Sequence, residues 1–232
     1  MLVAGFPAQA FDTNCYVVAP GPGEQCVVVD PGIGVADRLD DLIAEHRLHP
    51  VAVLLTHGHL DHTFSVTPVC QARDVPAYLH PADREMLADP AKGLSTDLRS
   101  LFGGRFNWAE PSDVKPLPDG GAITLAGLSI TVDHAPGHTG GSVLFRLAGE
   151  DAPLCLSGDV LFAGSIGRTD LPGGDPAAMT ASLRDKVLPL ADDTVVLPGH
   201  GPQTTIGRER ATNPFLREIL AGAHPAGPSR GW

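Results

Sequence analysis

The residues of this chain that are best suited to chemistry lie at positions 57–62, which read His-Gly-His-Leu-Asp-His. This run of three imidazoles and one carboxylate follows the apolar residues 51–55, a pattern that predicts a loop fixed at the end of a strand. In an extended segment His57 and His59 send their rings to the same side, and Asp61 continues that alternation. The last histidine of the run points elsewhere, toward a neighbouring ion. We therefore predict a site for one metal ion or two.

Three further apolar runs end on a potential ligand that directly follows a glycine, namely His138, Asp159 and His200. Imidazole and carboxylate donors without a thiolate suit Zn, Fe or Mn, and a mixed set of this kind is compatible with an open catalytic position. The repeated format favours one shared site for chemistry. His134 ends the same strand as His138, but the pattern gives it no ligand role, and we leave it out of the site.

The elements that must position these residues alternate along the chain. Val35, Leu39, Leu42 and Ile43 recur at helical spacing, which predicts an amphipathic helix over 35–47 inside a β-α-β unit. Two more helices are predicted to begin at Asp175-Pro176 and Asn213-Pro214, where a capping side chain precedes a proline. Short β-branched runs predict strands at 15–19, 26–30, 51–55, 77–79, 123–132, 142–147, 154–156 and 194–197.

Composition narrows the class of protein. The 232 residues predict one domain over 1–232 with a loose tail at 222–232, and residues 89–121 read as a surface excursion. A net charge of -11 with only 16 Lys and Arg disfavours nucleic acid as a partner. With no apolar stretch long enough for a membrane span and no leader pattern, we expect a cytoplasmic protein that does not bind membranes. Its four separate cysteines predict buried, reduced thiols.

The motif H-x-H-x-D-H at 57–62, with its companions in the same order over nearly the whole chain, resembles that of the metallo-β-lactamase superfamily. The resemblance implies an α/β fold, the four-layer αββα sandwich, with two divalent metal ions at one edge. Zn is the expected metal, with Fe or Mn as alternatives. The resemblance also implies that Asp30 supports the ligand loop without binding a metal ion itself. By position, the implied ligands are His57, His59 and His138 for one ion, Asp61, His62 and His200 for the other, and Asp159 between them.

Within the superfamily, the stretches at 158–174 and 197–207 are similar to those of short glyoxalase II-like hydrolases, or hydroxyacylglutathione hydrolases. Those enzymes hydrolyse thioesters such as S-lactoylglutathione. The resemblance implies a small-molecule thioester as substrate, attack by a metal-activated hydroxide, and Asp61 as the catalytic residue that orients it. Arg168 is a candidate for binding a substrate carboxylate; the alternative is that it pairs with Asp170 to hold its own loop. The thiol carrier, the acyl group and the oligomeric state stay open.

Three alternatives remain. A persulfide dioxygenase keeps much of the same ligand set and uses a single iron on the equivalents of His57, His138 and Asp159. A nuclease of the superfamily is disfavoured by the acidic charge and the lack of a basic arm. A non-catalytic metal-binding module is the non-enzyme reading, but seven candidate ligands exceed what one structural ion needs.

Overall fold

Two six-stranded sheets form the centre of the computed structural model, which describes residues 1–95 and 108–222. The strands of the first sheet lie side by side in chain order: β1 (Leu2–Pro7), β2 (Asn14–Ala19), β3 (Gln25–Val29), β4 (His49–Leu54), β5 (Ala77–Leu79) and β6 (Val114–Pro116). Strands β1 to β3 pair antiparallel, whereas β3 to β6 pair parallel.

The second sheet and one small hairpin contain the remaining strands: β7 (Ala122–Leu125), β8 (Leu128–His134), β9 (Val143–Leu147), β10 (Leu154–Gly158), β11 (Leu161–Phe162), β12 (Ser165–Ile166), β13 (Val195–Pro198) and β14 (Thr204–Thr205). The order in the sheet is β14-β13-β10-β9-β8-β7, and β11 pairs with β12 outside it. Only the β10–β13 pair of this sheet is parallel, so these two strands end at the same edge.

Helices cover the outer faces of both sheets. Their bounds are α1 (Ala36–His46), α2 (Leu60–Thr63), α3 (Val66–Arg73), α4 (Arg84–Ala88), α5 (Pro176–Ser182), α6 (Ile206–Thr212) and α7 (Pro214–Leu220). A π-helical turn, Leu183–Val187, extends α5. The side chains of Asp175 and Asn213 accept hydrogen bonds from amides in the first turns of α5 and α7, and each is followed by proline. These two predicted helix starts are confirmed.

The buried apolar side chains fall into three groups that define the layers. Val29 and Leu54 of the first sheet pack with Val132 and Phe145 of the second, so one group lies between the sheets. The second group joins α1 and α3 to the first sheet, and the third joins α5, α6 and α7 to the second sheet. This is the four-layer αββα arrangement that the resemblance implied.

Two local predictions were wrong or incomplete. Residues 123–132 form a hairpin of β7 and β8, because Ala126 and Gly127 both adopt left-handed backbone angles and reverse the chain, pairing Leu125 with Leu128. The apolar run concealed this turn. The extended backbone after β4 ends at His59, so Asp61 does not continue a strand alternation and instead lies on α2. The elements that were not anticipated are β1, β6, β11, β12, β14, α2, α3, α4 and α6. Of these, β6 lies within 89–121, the expected surface excursion, and pairs with β5 in the first sheet.

The ligand-bearing loops meet because several strands end at one edge of the sandwich. The parallel strands β10 and β13 are each followed by a candidate ligand, Asp159 and His200. The loop after β4 reaches the second sheet, where the Val143 amide donates to the Thr56 carbonyl at 2.9 Å. Before His138, only a glycine fits at 137, since a Cβ there would lie 2.4 Å from Met179 Cα. The αββα packing therefore brings distant parts of the chain to one place.

Two expectations from composition concern the described residues. Cys15, Cys26, Cys70 and Cys155 are buried and free, as predicted, and burial raises the pKa of the Cys155 thiol to about 12. Such thiols stay protonated at neutral pH and are unsuited to nucleophilic catalysis. Over residues 1–95 and 108–222, no helix is both long and apolar enough to cross a membrane. The tail beyond 222, which was expected to be loose, lies outside these ranges.

Candidate metal centre

The first group of donors comprises His57, His59 and His138, whose candidate ligand atoms lie within 4.8 Å of one another. All three side chains are buried, and His59 Nδ1 lies 2.8 Å from His138 Nε2. His57 Nε2 is buried without a hydrogen-bond partner, while its Nδ1 lies 3.0 Å from Thr56 Oγ1. Leaving buried polar atoms unpaired is costly, and a cation that accepts their lone pairs would remove that cost. The three imidazoles therefore fit a metal ion.

The second group comprises Asp61, His62 and His200, and again one ligand atom from each lies within 4.8 Å of the others. His200 Nε2 lies 3.2 Å from Asp61 Oδ2 and 3.3 Å from His62 Nε2. The carboxylate and the two imidazoles offer a mixed N/O donor set of the kind that Zn, Fe and Mn accept. This group fits a second ion beside the first.

Asp159 lies between the two groups. Its Oδ1 is 3.3 Å from His62 Nε2, and its Oδ2 is 3.5 Å from the Nε2 atoms of both His138 and His200. The backbone passes so close here that a Cβ on Gly199 would lie 2.1 Å from Asp159 Oδ1. One carboxylate thus faces donors from both groups, which is the placement needed to bridge two ions.

Burial and charge set the protonation of these donors. Burial and the neighbouring imidazoles lower the pKa of His57 well below its ordinary value and that of His59 to about 3, so both rings are neutral at pH 7. Burial also disfavours charge on His62, but the carboxylates of Asp159 and Asp61 outweigh it and raise its pKa. Burial would raise the pKa of Asp159, but the neighbouring His62 outweighs burial and lowers that pKa to about 2. The two carboxylates therefore remain anionic and attract cations.

Hydrogen bonds to Nδ1 orient four of the five rings from outside. His138 Nδ1 lies 2.8 Å from the Arg168 carbonyl, and His200 Nδ1 lies 3.0 Å from the Phe11 carbonyl. A carbonyl in this position fixes Nδ1 as the protonated nitrogen and leaves Nε2 as the donor to a metal. The sequence named the ligands but not these carbonyls, which no residue type signals.

Asp30 lies behind the ligand loop, where the resemblance placed it. Its Oδ2 is 2.9 Å from His62 Nδ1 and accepts a hydrogen bond from Thr56 Oγ1 at 2.6 Å, while Oδ1 accepts from the Thr56 amide at 2.8 Å. Thr56 Oγ1 in turn lies 3.0 Å from His57 Nδ1. One buried carboxylate thereby supports a histidine from each donor group.

Asp83 is a supporting residue that the sequence analysis missed. This fully buried carboxylate accepts from the Gly58 amide at 2.8 Å, from Thr139 Oγ1 at 2.6 Å and from the Gly141 amide at 2.7 Å. It therefore ties the loop between the first two histidines to the loop that carries His138. Its sequence context, a turn after Pro81, is that of an ordinary surface aspartate and gives no signal of this role.

A cavity of about 800 Å³ opens onto the donor groups. Apolar side chains form much of its wall, and Asp61, Asp159 and three of the histidines are exposed to it. Arg168 also lines the cavity, where its Nε and Nη2 donate to the two oxygens of Asp170 at 2.6 and 2.8 Å. The pairing that the sequence analysis considered therefore forms, at a position that also faces the cavity. Further apolar lining residues are Ile33, Leu60, Leu94, Phe162 and Leu171.

The histidine that was left out of the site, His134, does not join either donor group. It stacks instead on His80, with ring centroids 4.0 Å apart. His80 itself accepts a hydrogen bond from the Ala82 amide at the start of a turn.

Comparison with known proteins identifies the family. Residues 8–200 match the model of the metallo-beta-lactamase superfamily, and the chain belongs to that superfamily. An uncharacterized protein of Mycobacterium tuberculosis is 50% identical over 94% of this chain and 99% of its own length. The hydroxyacylglutathione hydrolase GloC of Haemophilus influenzae is 36% identical over 90% of this chain and 95% of its own length.

Two solved structures are similar in both sequence and fold. BLEG-1, described as a B3 metallo-beta-lactamase, is 40% identical with a TM-score of 0.81, covering 93% of this chain and 99% of that one. TTHA1623, solved in a di-iron-bound form, is 40% identical with a TM-score of 0.76, covering 92% of this chain and 100% of that one. The clusters of histidine and aspartate in this chain fit the dinuclear metal sites of the superfamily.

Replacing Asp83 with asparagine tests the support of the first donor group. An amide in either orientation turns an NH₂ toward at least one of the three hydrogen-bond donors, which should cost about 1–3 kcal/mol of unfolding free energy. We expect one ion to bind about 10- to 100-fold more weakly. Metal content by mass spectrometry after dialysis against graded chelator measures this. Asp113→Asn, at an exposed site, is the control; equal chelator sensitivity in the two variants contradicts the role.

Proposed function

We propose that this chain is a metal-dependent hydrolase of small-molecule thioesters, with S-lactoylglutathione or a related acyl-thiol as substrate. The observation that carries the proposal is the convergence of two donor groups around Asp159 at the base of a largely apolar cavity. The 36% identity to a hydroxyacylglutathione hydrolase supports the thioester class. Two divalent ions are the proposed cofactors. Zn is the first candidate, and the di-iron form of a similar structure supports iron as well.

The seven donors have separate proposed roles at the two ions. When bound, divalent ions supply Lewis acidity, which brings the pKa of a coordinated water toward 7 and polarises a carbonyl oxygen. His57, His59 and His138 would hold one ion, Asp61, His62 and His200 the other, and Asp159 both. Because these rings are fixed through their other nitrogens, little rearrangement is needed to bind the ions.

Asp61 is the residue we assign to the attacking water. Thr13 Oγ1 donates a hydrogen bond to Asp61 Oδ2 at 3.1 Å, which fixes the carboxylate. The side chain of Asp61 faces the cavity. The carboxylate accepts a hydrogen bond from the attacking water and orients it, and the proton of the water passes to solvent as its oxygen bonds to the carbonyl carbon. The carbon–sulfur bond then breaks and the thiol leaves as a thiolate. A thiol has a pKa of about 8.5, so this leaving group needs no residue to protonate it.

The charge of the chain bears on the proposed substrate class and location. The net charge of -11 opposes nucleic acid as a substrate, and we assign the protein to the cytoplasm as an enzyme acting on a diffusible metabolite. A mononuclear iron dioxygenase would need only His57, His138 and Asp159. The convergence of the second donor group favours hydrolysis over that alternative.

Replacing Asp61 with alanine removes both a proposed ligand and the water-orienting group. We expect kcat/KM for S-lactoylglutathione to fall at least about 1,000-fold, equivalent to about 4 kcal/mol of transition-state stabilisation, with the fold retained. The assay uses metal-replete protein, with circular dichroism as the check on folding. Asp193→Ala, at an exposed position far along the chain, is the matched control. Turnover within tenfold of the parent would sink the assignment of Asp61.

The same preparation should be offered substrates of the competing classes. Thioesters are expected to give the highest kcat/KM. Oxygen uptake with glutathione persulfide would identify a dioxygenase instead. Faster hydrolysis of nitrocefin than of every thioester would favour a β-lactamase activity, the description attached to BLEG-1.

Replacing Arg168 with glutamine tests whether this residue contacts substrate. If its guanidinium attracts a carboxylate of the thiol carrier, KM for S-lactoylglutathione should rise about tenfold with kcat unchanged, the result of losing about 1.4 kcal/mol of uniform binding. KM for a thioester whose thiol lacks carboxylates should not move. Arg184→Gln removes an equivalent arginine–aspartate pair with Asp185 elsewhere on the surface and serves as the control. Equal KM changes for both substrates would assign Arg168 to the loop alone.

A further inference from the structure

A second set of histidine and aspartate side chains meets away from the cavity. His80 follows β5, Asp119 precedes β7, and His134 ends β8. One candidate ligand atom from each lies within 4.8 Å of the others. None of the three lines the cavity or belongs to the donor groups around Asp159. Two imidazoles and a carboxylate are a common ligand set for a transition-metal ion with one or more positions left for water.

The ring of His134 is held in the orientation that metal-binding histidines adopt. Its Nε2 lies 2.8 Å from the Gly140 carbonyl, so Nε2 carries the proton and donates it. The lone pair is then on Nδ1, which lies 3.4 Å from Asp119 Oδ1. This places an available nitrogen donor beside an available oxygen donor.

His80 supplies a second neutral ring. It is only 7% exposed, and burial, with His134 as the next cause, lowers its pKa, so the ring keeps a lone pair at neutral pH. Its one hydrogen bond within the turn, from the Ala82 amide to Nδ1, is long at 3.3 Å. The two rings stack with a 12° angle between their planes. Because imidazole lone pairs lie in the ring plane, the two stacked rings must turn out of parallel before both can bind one ion.

We propose that His80, Asp119 and His134 bind one transition-metal ion of the Zn²⁺ class at a site separate from the catalytic centre. A tetrahedral ion with bonds of about 2.0–2.1 Å needs its nitrogen ligands about 3.3 Å apart with both lone pairs converging on it, so at least one ring turns well out of the stack on binding. Asp119 is largely exposed and turns toward the ion at little cost. With a single carboxylate and this rearrangement, the site binds more weakly than the catalytic centre.

Titration of the folded, metal-replete protein with ZnCl₂ tests the site. The protein is first dialysed until its metal content no longer changes, and further binding is then measured by calorimetry. We expect one additional Zn²⁺ per chain. His134→Gln and His80→Gln should each abolish this binding step, and Asp119→Asn should weaken it about tenfold, a typical effect of losing one charged contact. The exposed solitary His49 provides the control, and His49→Gln should leave the step unchanged.

Two outcomes overturn the proposal. One is a parent protein that takes up no further Zn²⁺. The other is an additional equivalent that survives both histidine replacements in folded protein. Because His80 is buried, thermal melting is recorded for every variant. Asp119→Asn, at an exposed position, keeps the test valid if a histidine variant does not fold, since unchanged affinity in that variant also contradicts the site.

Discussion

Five imidazoles and two carboxylates are concentrated at the edge where the two sheets meet, and most of the local structure serves to keep them there. Burying so many polar groups is unfavourable unless each finds a partner. His57 Nε2 and Asp159 Oδ1 do not meet this condition, because both are buried without a hydrogen-bond partner, and bound cations would satisfy them. The donors of the cluster are therefore arranged to bind cations.

Two buried aspartates show how the fold holds the unit together. Asp30 reaches His62 and the threonine beside His57, and Asp83 joins the first ligand loop to the loop that carries His138. Neither carboxylate belongs to the donor groups. Each carboxylate holds loops that are far apart in sequence in a fixed position relative to one another. The precision of a site of this kind depends on such supports as much as on its ligands.

The sequence predicted much of this centre because metal ligands are chemically unusual residues at unusual density. The run at 57–62, and the glycine–ligand pairs ending at Asp159 and His200, could be recognised without coordinates. The two proline-capped helices also followed from the sequence pattern, whereas the αββα layers were implied by the family resemblance. Asp83 could not be predicted from the sequence, because its role is to accept hydrogen bonds from backbone amides that lie near it only in the folded chain. The hairpin within 123–132 was missed for a related reason, since the turn is encoded by backbone angles at 126–127 inside an apolar run.

In the proposed centre, the seven donors hold two ions with Asp159 between them. Anomalous diffraction from crystals of the metal-replete protein, recorded at the absorption edge of the bound metal, tests it directly. We expect two peaks about 3.5–4 Å apart on either side of Asp159, one bonded to His57, His59 and His138 and the other to Asp61, His62 and His200. A single peak bonded only to His57, His138 and Asp159, in protein saturated with metal, would contradict it.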